Sequence, residues 1–240
     1  MKTKLLTIAT MVTLMLGTMT KVQAQAPCLP QMHGLIEHQS ASCGVTQLFA
    51  LTTGWNWVST YIDLNGIDAI TLIEEALGDN GLTIATFDDA AVNLGGGMWV
   101  GLDGYTLSNS EMIMIEVAED CSFTLEGPAV NPSTITIPIN PGWNWIGFPV
   151  ADETSISNAL AGFPAEFEDQ IANFTGATVN FGDWIGDFET LVPGQGYMYF
   201  YNGTEPQELV FQNGSKAHRA YPNFGKLPKQ SFKVIPVEGN

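Results

Sequence analysis

The feature that most constrains this fold is an internal repeat. The phrase "GWNWVSTYID" (Gly54 to Asp63) returns as "GWNWIGFPVA" (Gly142 to Ala151), 88 positions later. The match continues downstream in two further pairs of segments: "IATFDDAAVNLGGGMWVG" (84–101) with "IANFTGATVNFGDWIG" (171–186), and "LSNSEMIMIEV" (107–117) with "LVPGQGYMYFY" (191–201). Self-similarity at a fixed spacing is typical of a duplicated structural unit. We therefore predict two tandem homologous repeats, residues 48–130 and 131–212.

Both repeats show the same order of predicted elements. The GWNW strand is followed by a short helix, a strand, a glycine-rich turn, a short strand at the third tryptophan and a strongly apolar strand. Apolar residues at three-to-four spacing predict the first helix over "IDAITLIEEALG" (67–78), with Gly78 as its stop. The second helix is predicted over "SISNALAGF" (155–163), capped by Thr154 or Ser155. We expect a mainly β fold (β-rich α+β) with four to five strands and one short helix in each repeat.

The six tryptophans fall three to a repeat, at equivalent places: Trp55, Trp57, Trp99, Trp143, Trp145 and Trp184. Because strand side chains alternate between faces, Trp55 and Trp57 point one way and Asn56 the other. Our first interpretation is that the paired indoles are core aromatics packed over the small helix. Two alternatives stay open: an exposed platform that stacks on sugar rings, and an aromatic interface between the repeats or with another chain. Asn56 and Asn144 are predicted to bond to backbone and hold a turn.

The two ends of the chain differ from the repeats. Residues 1–24 begin with lysines at positions 2 and 4 and continue with an apolar run and a small-x-small site, the layout of a secretory signal peptide, so the mature chain should begin near Gln25. Residues 25–47 form a lead-in segment, and residues 213–240 form a basic tail with a hint of a strand at "SFKVIPV". The linker "NPSTITIPINP" (131–141) should add a strand to one repeat. We expect a secreted protein, extracellular or held at the cell surface.

Cysteine and acidic residues allow two further predictions. An oxidising compartment favours one disulfide among the three cysteines, and Cys28 with Cys43 is the preferred pair over Cys43 with Cys121. Of the 25 acidic residues, all but Glu238 lie between Gln25 and Ser215, where lysine and arginine are absent. A polyanion repels phosphate backbones and anionic lipid headgroups, so we expect neither nucleic-acid binding nor direct membrane insertion after signal cleavage.

Metal binding and catalysis have weaker signals. No cofactor is predicted, and Ca²⁺ is the one candidate ion, at the acidic loops "DLNGID" (63–68), "GDNG" (78–81) and "FDD" (87–89). Asp183, Asp187 and Glu189 flank Trp184 and could suggest an acidic glycan hydrolase, but repeat 1 has Gly97 and Leu102 opposite the two aspartates. Because the repeats contain no histidine, we expect no Ser/His/Asp or Cys/His nucleophile there. We therefore expect a protein that is not an enzyme.

Repeat 2 carries a family likeness. The segments "GWNWIGFPV", "DWIG" and "LVPGQGYMYF" resemble a repeat module, with the pattern G-W-N-[WL]-I-[SG]-x-P-V, of secreted and cell-surface proteins of Bacteroidetes and some other bacteria. Repeat 1 departs from the pattern at "STYI", which lacks the proline. The resemblance implies a non-catalytic structural or adhesive module whose partners are surface proteins or glycans. A carbohydrate-binding module that uses tryptophan platforms is the alternative.

Overall fold

Short antiparallel strands make up most of the protein. The computed structural model describes residues 44–212 and 233–236 of the 240-residue chain. In repeat 1 the strands are β1 (Val45–Leu51), β2 (Gly54–Val58), β3 (Gly81–Ala85), β4 (Ala90–Asn93), β5 (Trp99–Val100), β6 (Ile113–Val117) and β7 (Cys121–Gly127). In repeat 2 they are β8 (Ile137–Ile139), β9 (Gly142–Ile146), β10 (Thr154–Ser155), β11 (Gln170–Asn173), β12 (Gly176–Asn180), β13 (Trp184–Gly186), β14 (Thr190–Leu191), β15 (Tyr197–Tyr201) and β16 (Gln207–Leu209), and β17 (Lys233–Pro236) follows in the tail. The helices are α1 (Ala69–Leu77) and α2 (Ile156–Ala159), with 3₁₀ turns at Gly78–Asn80 and Pro132–Thr134.

Each repeat contains one five-stranded antiparallel sheet. Sheet 1 has the order β2-β6-β3-β4-β5 and sheet 2 the order β9-β15-β11-β12-β13. The sequence alignment of the repeats pairs each strand of sheet 1 with the strand at the same place in sheet 2. This equivalence confirms the predicted mainly β fold with two similar repeats, each with one helix.

Besides the five-stranded sheets, each repeat has a smaller antiparallel ribbon of strands. β1 pairs with β7 in repeat 1, and β8 pairs with β16 in repeat 2, so each repeat also has an antiparallel ribbon. The linker strand therefore belongs to repeat 2. The tail strand β17 returns to repeat 1, where it pairs with the free side of β7. The sequence predicted the linker strand β8 and a strand in the tail, whereas β1, which begins at Val45 in the predicted lead-in segment, was not predicted.

The core of repeat 1 lies between α1 and the inner face of sheet 1. Leu72 and Ile73 of α1 are buried with Ile84 and Ile115 of the sheet. The helix begins at Ala69 because the Asp68 side chain accepts a hydrogen bond from the Thr71 amide (2.8 Å), which is the usual way a helix N-terminus is capped. The helix is therefore two residues shorter at its start than predicted.

Aromatic residues fill the core of repeat 2. Tyr197 and Tyr199 of β15 are fully buried with Phe148 and Phe211, and Phe148 meets Phe211 edge-on at 5.2 Å between ring centroids. Helix α2 is only one turn long, and its C-cap is Leu160, three residues before the predicted limit. Gly162 follows with a positive φ of 93°, a conformation in which the helix does not continue.

The GWNW phrase folds in the same way in both repeats. Its glycine has a φ of 92° at Gly54 and 93° at Gly142, a backbone conformation that favours glycine. Asn144 then closes the turn: its Oδ1 accepts from the Asn140 amide (2.8 Å) and its Nδ2 donates to the Asn140 and Gly142 carbonyls (2.8 and 3.0 Å). Asn56 makes the equivalent bonds to Thr52 and Gly54. The prediction that both asparagines hold a turn is confirmed.

Candidate functional site

The GWNW strands turn their tryptophans away from the helices. The buried side chains of these strands, Val58 in β2 and Asn144 and Ile146 in β9, lie on the inner faces. The indoles occupy the outer faces and are half-buried or exposed: Trp55, Trp57, Trp143 and Trp145. The interpretation of these paired indoles as core aromatics over the helix is therefore wrong. Branched aliphatic residues and buried tyrosines already fill the space there.

The second tryptophan of each phrase packs against the other repeat. Trp57 of repeat 1 meets Phe174 of repeat 2 edge-on, with ring centroids 5.9 Å apart. Trp145 of repeat 2 meets Phe87 of repeat 1 edge-on at 6.0 Å. Because the alignment makes Trp57 equivalent to Trp145 and Phe87 equivalent to Phe174, these two contacts are related by an approximate two-fold axis. For Trp57 and Trp145, the interpretation as an aromatic interface between the repeats is therefore the one that agrees with the structure.

Backbone contacts follow the same approximate symmetry. The Ser59 amide donates to the Gly194 carbonyl and the Gly147 amide donates to the Ser110 carbonyl, both at 3.0 Å. The alignment makes Ser59 equivalent to Gly147 and Ser110 equivalent to Gly194. A Cβ on Gly147 would overlap the backbone at Asn109, so glycine is required there. Repeats 1 and 2 therefore meet through a specific two-fold junction.

The third tryptophan of each repeat supports a core instead. Trp99 is half-buried against the core of repeat 1, and its Nε1 donates to Glu74 Oε2 on α1 at 2.8 Å. Trp184 packs beside the core of repeat 2, with its ring 6.3 Å from that of Tyr199. The six tryptophans do not share one surface, since they divide into outer, junction and core pairs.

The outer face of sheet 2 carries a cluster of exposed apolar side chains. Trp143 is 44% exposed and contacts Phe200 edge-on at 5.3 Å, and Ile185 at the far edge of the sheet is 61% exposed. We call these three residues, with the exposed pair Phe167 and Phe181, the outer patch. Rings of the latter pair meet at 5.5 Å. Exposed apolar clusters of this kind mark interaction surfaces.

One cross-strand row organises the outer patch. Strand registers place Trp143 beside Phe200, Phe200 beside Gln170, Gln170 beside Val179, and Val179 beside Ile185. The row crosses all five strands of sheet 2, and none of its side chains is charged. In a protein whose body is so acidic, this neutral row favours contact with an uncharged or apolar partner surface.

The equivalent row on sheet 1 has a different character. Its order is Trp55, Glu116, Thr83, Val92 and Val100, so a carboxylate takes the place of Phe200. Thr83 Oγ1 donates to Glu116 Oε2 at 2.7 Å, which fixes that carboxylate on the outer face. Val92 and Val100 of this row are also exposed, so the two rows differ mainly at the Phe200 position, where repeat 1 has a carboxylate.

Trp55 borders a groove at the junction of the two repeats. The groove has a volume of about 320 Å³ and is lined mainly by apolar side chains, among them Leu48, Trp57, Phe174 and Pro193. Among the described residues the buried Nε1 of Trp57 has no hydrogen-bond partner. Besides the outer patch, the groove is thus a second surface at which tryptophan rings, those of Trp55 and Trp57, line a space that a ligand can enter.

Acidic side chains at the candidate calcium loops bond to backbone amides. Asp63 accepts from Asn65 (2.9 Å), Asp79 from Gly96 (2.7 Å) and Asp89 from Ala90 (2.8 Å). Within residues 44–212 and 233–236, no group of three or more His, Cys, Asp or Glu side chains is placed to hold a metal ion. The structure therefore assigns these carboxylates to turns.

The structure also shows the environment of Asp169 and of the three carboxylates beside Trp184. Asp169 is fully buried, where it accepts from the Glu166 and Asn202 amides (2.8 and 2.7 Å) and from the Tyr199 hydroxyl (2.7 Å). Burial and this carboxylate raise the pKa of Tyr199. Beside Trp184, Asp187 accepts from the Ala177 amide at 3.0 Å, while Asp183 and Glu189 are exposed. Asp187 thus links the end of β13 to the start of β12, at the end of the hairpin opposite its turn.

Several predicted features lie outside the described residues. They are the signal peptide, the lead-in up to residue 43, and the Cys28 and Cys43 disulfide. Cys121 is half-buried in β7, and burial raises the pKa of its thiol. In the described part of the chain, neither helix is long and apolar enough to cross a membrane.

Sequence reasoning missed four residues of the outer patch: Phe167, Phe181, Ile185 and Phe200. A signal for Phe200 was present, because "YMYFY" alternates buried tyrosines with Met198 and Phe200 on the opposite face. Ile185 follows the same alternation after Trp184.

Comparison of the chain with protein-family models, with curated proteins and with solved structures finds no match.

Proposed function

We propose that this protein is a secreted, non-catalytic structural or adhesive module that attaches to its partner through the outer patch of sheet 2. The observation that carries the proposal is the uncharged row whose two ends, Trp143 and Ile185, are exposed and whose middle residues are half-buried. Burying such side chains stabilises a complex by about 25 cal/mol for each Å² of apolar surface removed from water. Sheet 2 keeps the patch rigid, because every strand beneath it is paired and its inner face is packed.

Export and surface location are part of the same proposal. The signal-peptide layout of residues 1–24 supports export, as does the resemblance of repeat 2 to modules of secreted and cell-surface proteins. The acidic body supports a role among neutral or cationic surface components rather than with nucleic acid or anionic lipid. Mass spectrometry of protein recovered outside the cells should find a mature N-terminus near Gln25.

Retention on the producing cells tests the attachment site. Wild-type protein should partition largely to the cell surface, whereas the double substitution Trp143→Ala and Ile185→Ser should release it into the medium. Val100→Ser is the matched control, since Val100 occupies the equivalent position on sheet 1 and is similarly exposed (58% against 61%). Equal retention of the wild type and the double variant would contradict the proposal.

Carbohydrate binding is the second candidate function. It is favoured by one observation: Trp143 exposes its indole on a flat sheet face, with the Gln170 amide two strands away to hydrogen-bond a hydroxyl group. Stacking of a sugar ring on Trp143 should shift the indole emission and reduce its quenching by acrylamide. If emission and quenching stay the same across a panel of soluble plant, fungal and bacterial oligosaccharides, the platform function fails.

A further inference from the structure

The ribbons of the two repeats differ in one respect. In repeat 1 the ribbon has three strands, because β17 pairs antiparallel with β7 on the side away from β1. In repeat 2 the ribbon has only β8 and β16, and within the described residues the other edge of β16 has no strand partner. The approximate symmetry thus gives each repeat an equivalent edge, and among the described strands only the edge of repeat 1 has a partner.

The two edges can be matched residue by residue. Leu51 lies three positions before Gly54 and pairs with Cys121, while Ile139 lies three positions before Gly142 and pairs with Gln207. Cys121 is therefore equivalent to Gln207. From this offset, the residues that face β17 in repeat 1, 123–126, correspond to 209–212 in repeat 2.

The equivalent segments have the same burial pattern. Phe123 and Leu125 are buried in repeat 1, and their equivalents Leu209 and Phe211 are fully buried in repeat 2. Both segments are therefore anchored by alternate side chains to their own core, which holds the backbone in place. A strand fixed in this way at an open edge is a template for pairing with another extended chain.

We propose that the β16 edge, residues 207–212, is a docking site for an extended segment of a partner protein, which adds as a third antiparallel strand. The tail strand at the equivalent edge defines the chemistry of this segment: apolar residues beside a basic one, as in "KVIP". In the register at β7, Lys233 stands opposite Glu126. A basic donor also suits the acidic body, where residues 44–212 contain no lysine or arginine.

Among the described residues, no strand is free to supply the donor, because β17 already pairs with β7. A second copy would have to give up its own β7 pairing to supply the strand, which makes exchange between copies neutral in the number of paired edges. A foreign strand instead adds a pairing to an edge that has no strand partner within residues 44–212 and 233–236, so it is the favoured occupant.

A synthetic peptide of the tail, "KQSFKVIPV" (229–237), is the probe for this site. Added to the full-length protein, it should bind with one-to-one stoichiometry and slow hydrogen exchange at the amides of 207–212. A scrambled peptide of the same composition should bind at least about tenfold more weakly, a difference of about 1.4 kcal/mol. Binding should weaken with added salt, because the basic probe approaches an acidic body.

Two variants test the edge itself. Val210→Pro removes the backbone amide of a residue beyond the β8 pairing, which ends at Leu209, and should weaken peptide binding at least about tenfold, because proline cannot donate to a sheet ladder. Val210→Thr is the matched control, because it keeps the amide and a β-branched side chain. Thermal unfolding followed by circular dichroism shows whether both variants are folded, and the exchange measurement on the wild type stands without either of them.

Three results would overturn the proposal. The first is an absence of protection at 207–212 with saturating peptide. The second is protection at 123–126 instead, which would mean that the peptide only displaces the chain's own tail. The third is protection at 207–212 that rises with protein concentration when no peptide is present, since that would identify a second copy as the occupant.

Discussion

The substitution Asn144→Ala should destabilise the protein more than any other single change in the GWNW phrases. Asn144 is only 8% exposed, and it makes three hydrogen bonds of 3.0 Å or shorter plus a fourth of 3.3 Å to the Tyr199 carbonyl. Each such bond contributes about 0.5–1.5 kcal/mol, and partners left buried without a bond cost about 1–3 kcal/mol. We expect a loss of about 2–4 kcal/mol in the free energy of unfolding.

Repeat 1 offers a matched comparison for this prediction. Asn56 makes the same turn, but it is half-buried whereas Asn144 is buried, so water can replace part of what Asn56→Ala removes. We expect a loss of about 1–2 kcal/mol there. Asn158→Ala on the exposed side of α2 is the control and should change stability by less than about 0.5 kcal/mol.

Urea unfolding followed by far-ultraviolet circular dichroism measures all three variants. This signal is preferable to tryptophan fluorescence, because indoles flank both asparagines. A loss below about 1 kcal/mol for Asn144→Ala would refute the reasoning, as would an equal or larger loss for Asn56→Ala. Either result would mean that the turn bonds are replaced by water without cost.

Three further predictions concern the turn, the junction and pH. Gly142→Ala should cost about 1–2 kcal/mol in urea unfolding, because alanine is strained at a φ of 93°. A double-mutant cycle of Trp57→Ala and Phe174→Ala should give a coupling energy of about 0.5–1.5 kcal/mol, and no coupling would argue against the junction contact. Burial raises the pKa of Tyr197 from 10.0 to about 12, so the unfolded chain loses this proton first, and the urea midpoint should fall as the pH rises from 10 towards 12. A midpoint that stays constant over this range would contradict the burial of Tyr197.

The parts of the fold that depend on local pattern could be predicted from the sequence. The repeat, the order of elements and the turn role of Asn56 and Asn144 all follow from self-similarity and residue type. Helix α1 was also predictable, because its apolar residues recur at three-to-four spacing and Gly78 marks its end, although its start at Ala69 lies two residues later than predicted. These features depend on neighbours within a few positions along the chain.

The parts that depend on tertiary packing could not be predicted. Alternation correctly put Trp55 and Trp57 on one face, but it contains no information on which face meets the helix. That choice depends on the partners across the sheet: Ile113 and Ile115 bury the face that Val58 shares, and Met114 lies on the face of Trp57. The junction contacts of Phe87 and Phe174, and the return of β17 to β7, likewise join residues that are distant in sequence.

Oxidative footprinting of the indoles tests the central claim most directly. Protein attached to the producing cells and protein free in solution are exposed to the same dose of hydroxyl radicals, and oxidation of each tryptophan is measured by mass spectrometry. If the outer patch is the attachment surface, Trp143 is protected on the cells while oxidation of Trp55 on repeat 1 is unchanged. Equal oxidation of Trp143 in the attached and free protein would contradict the account.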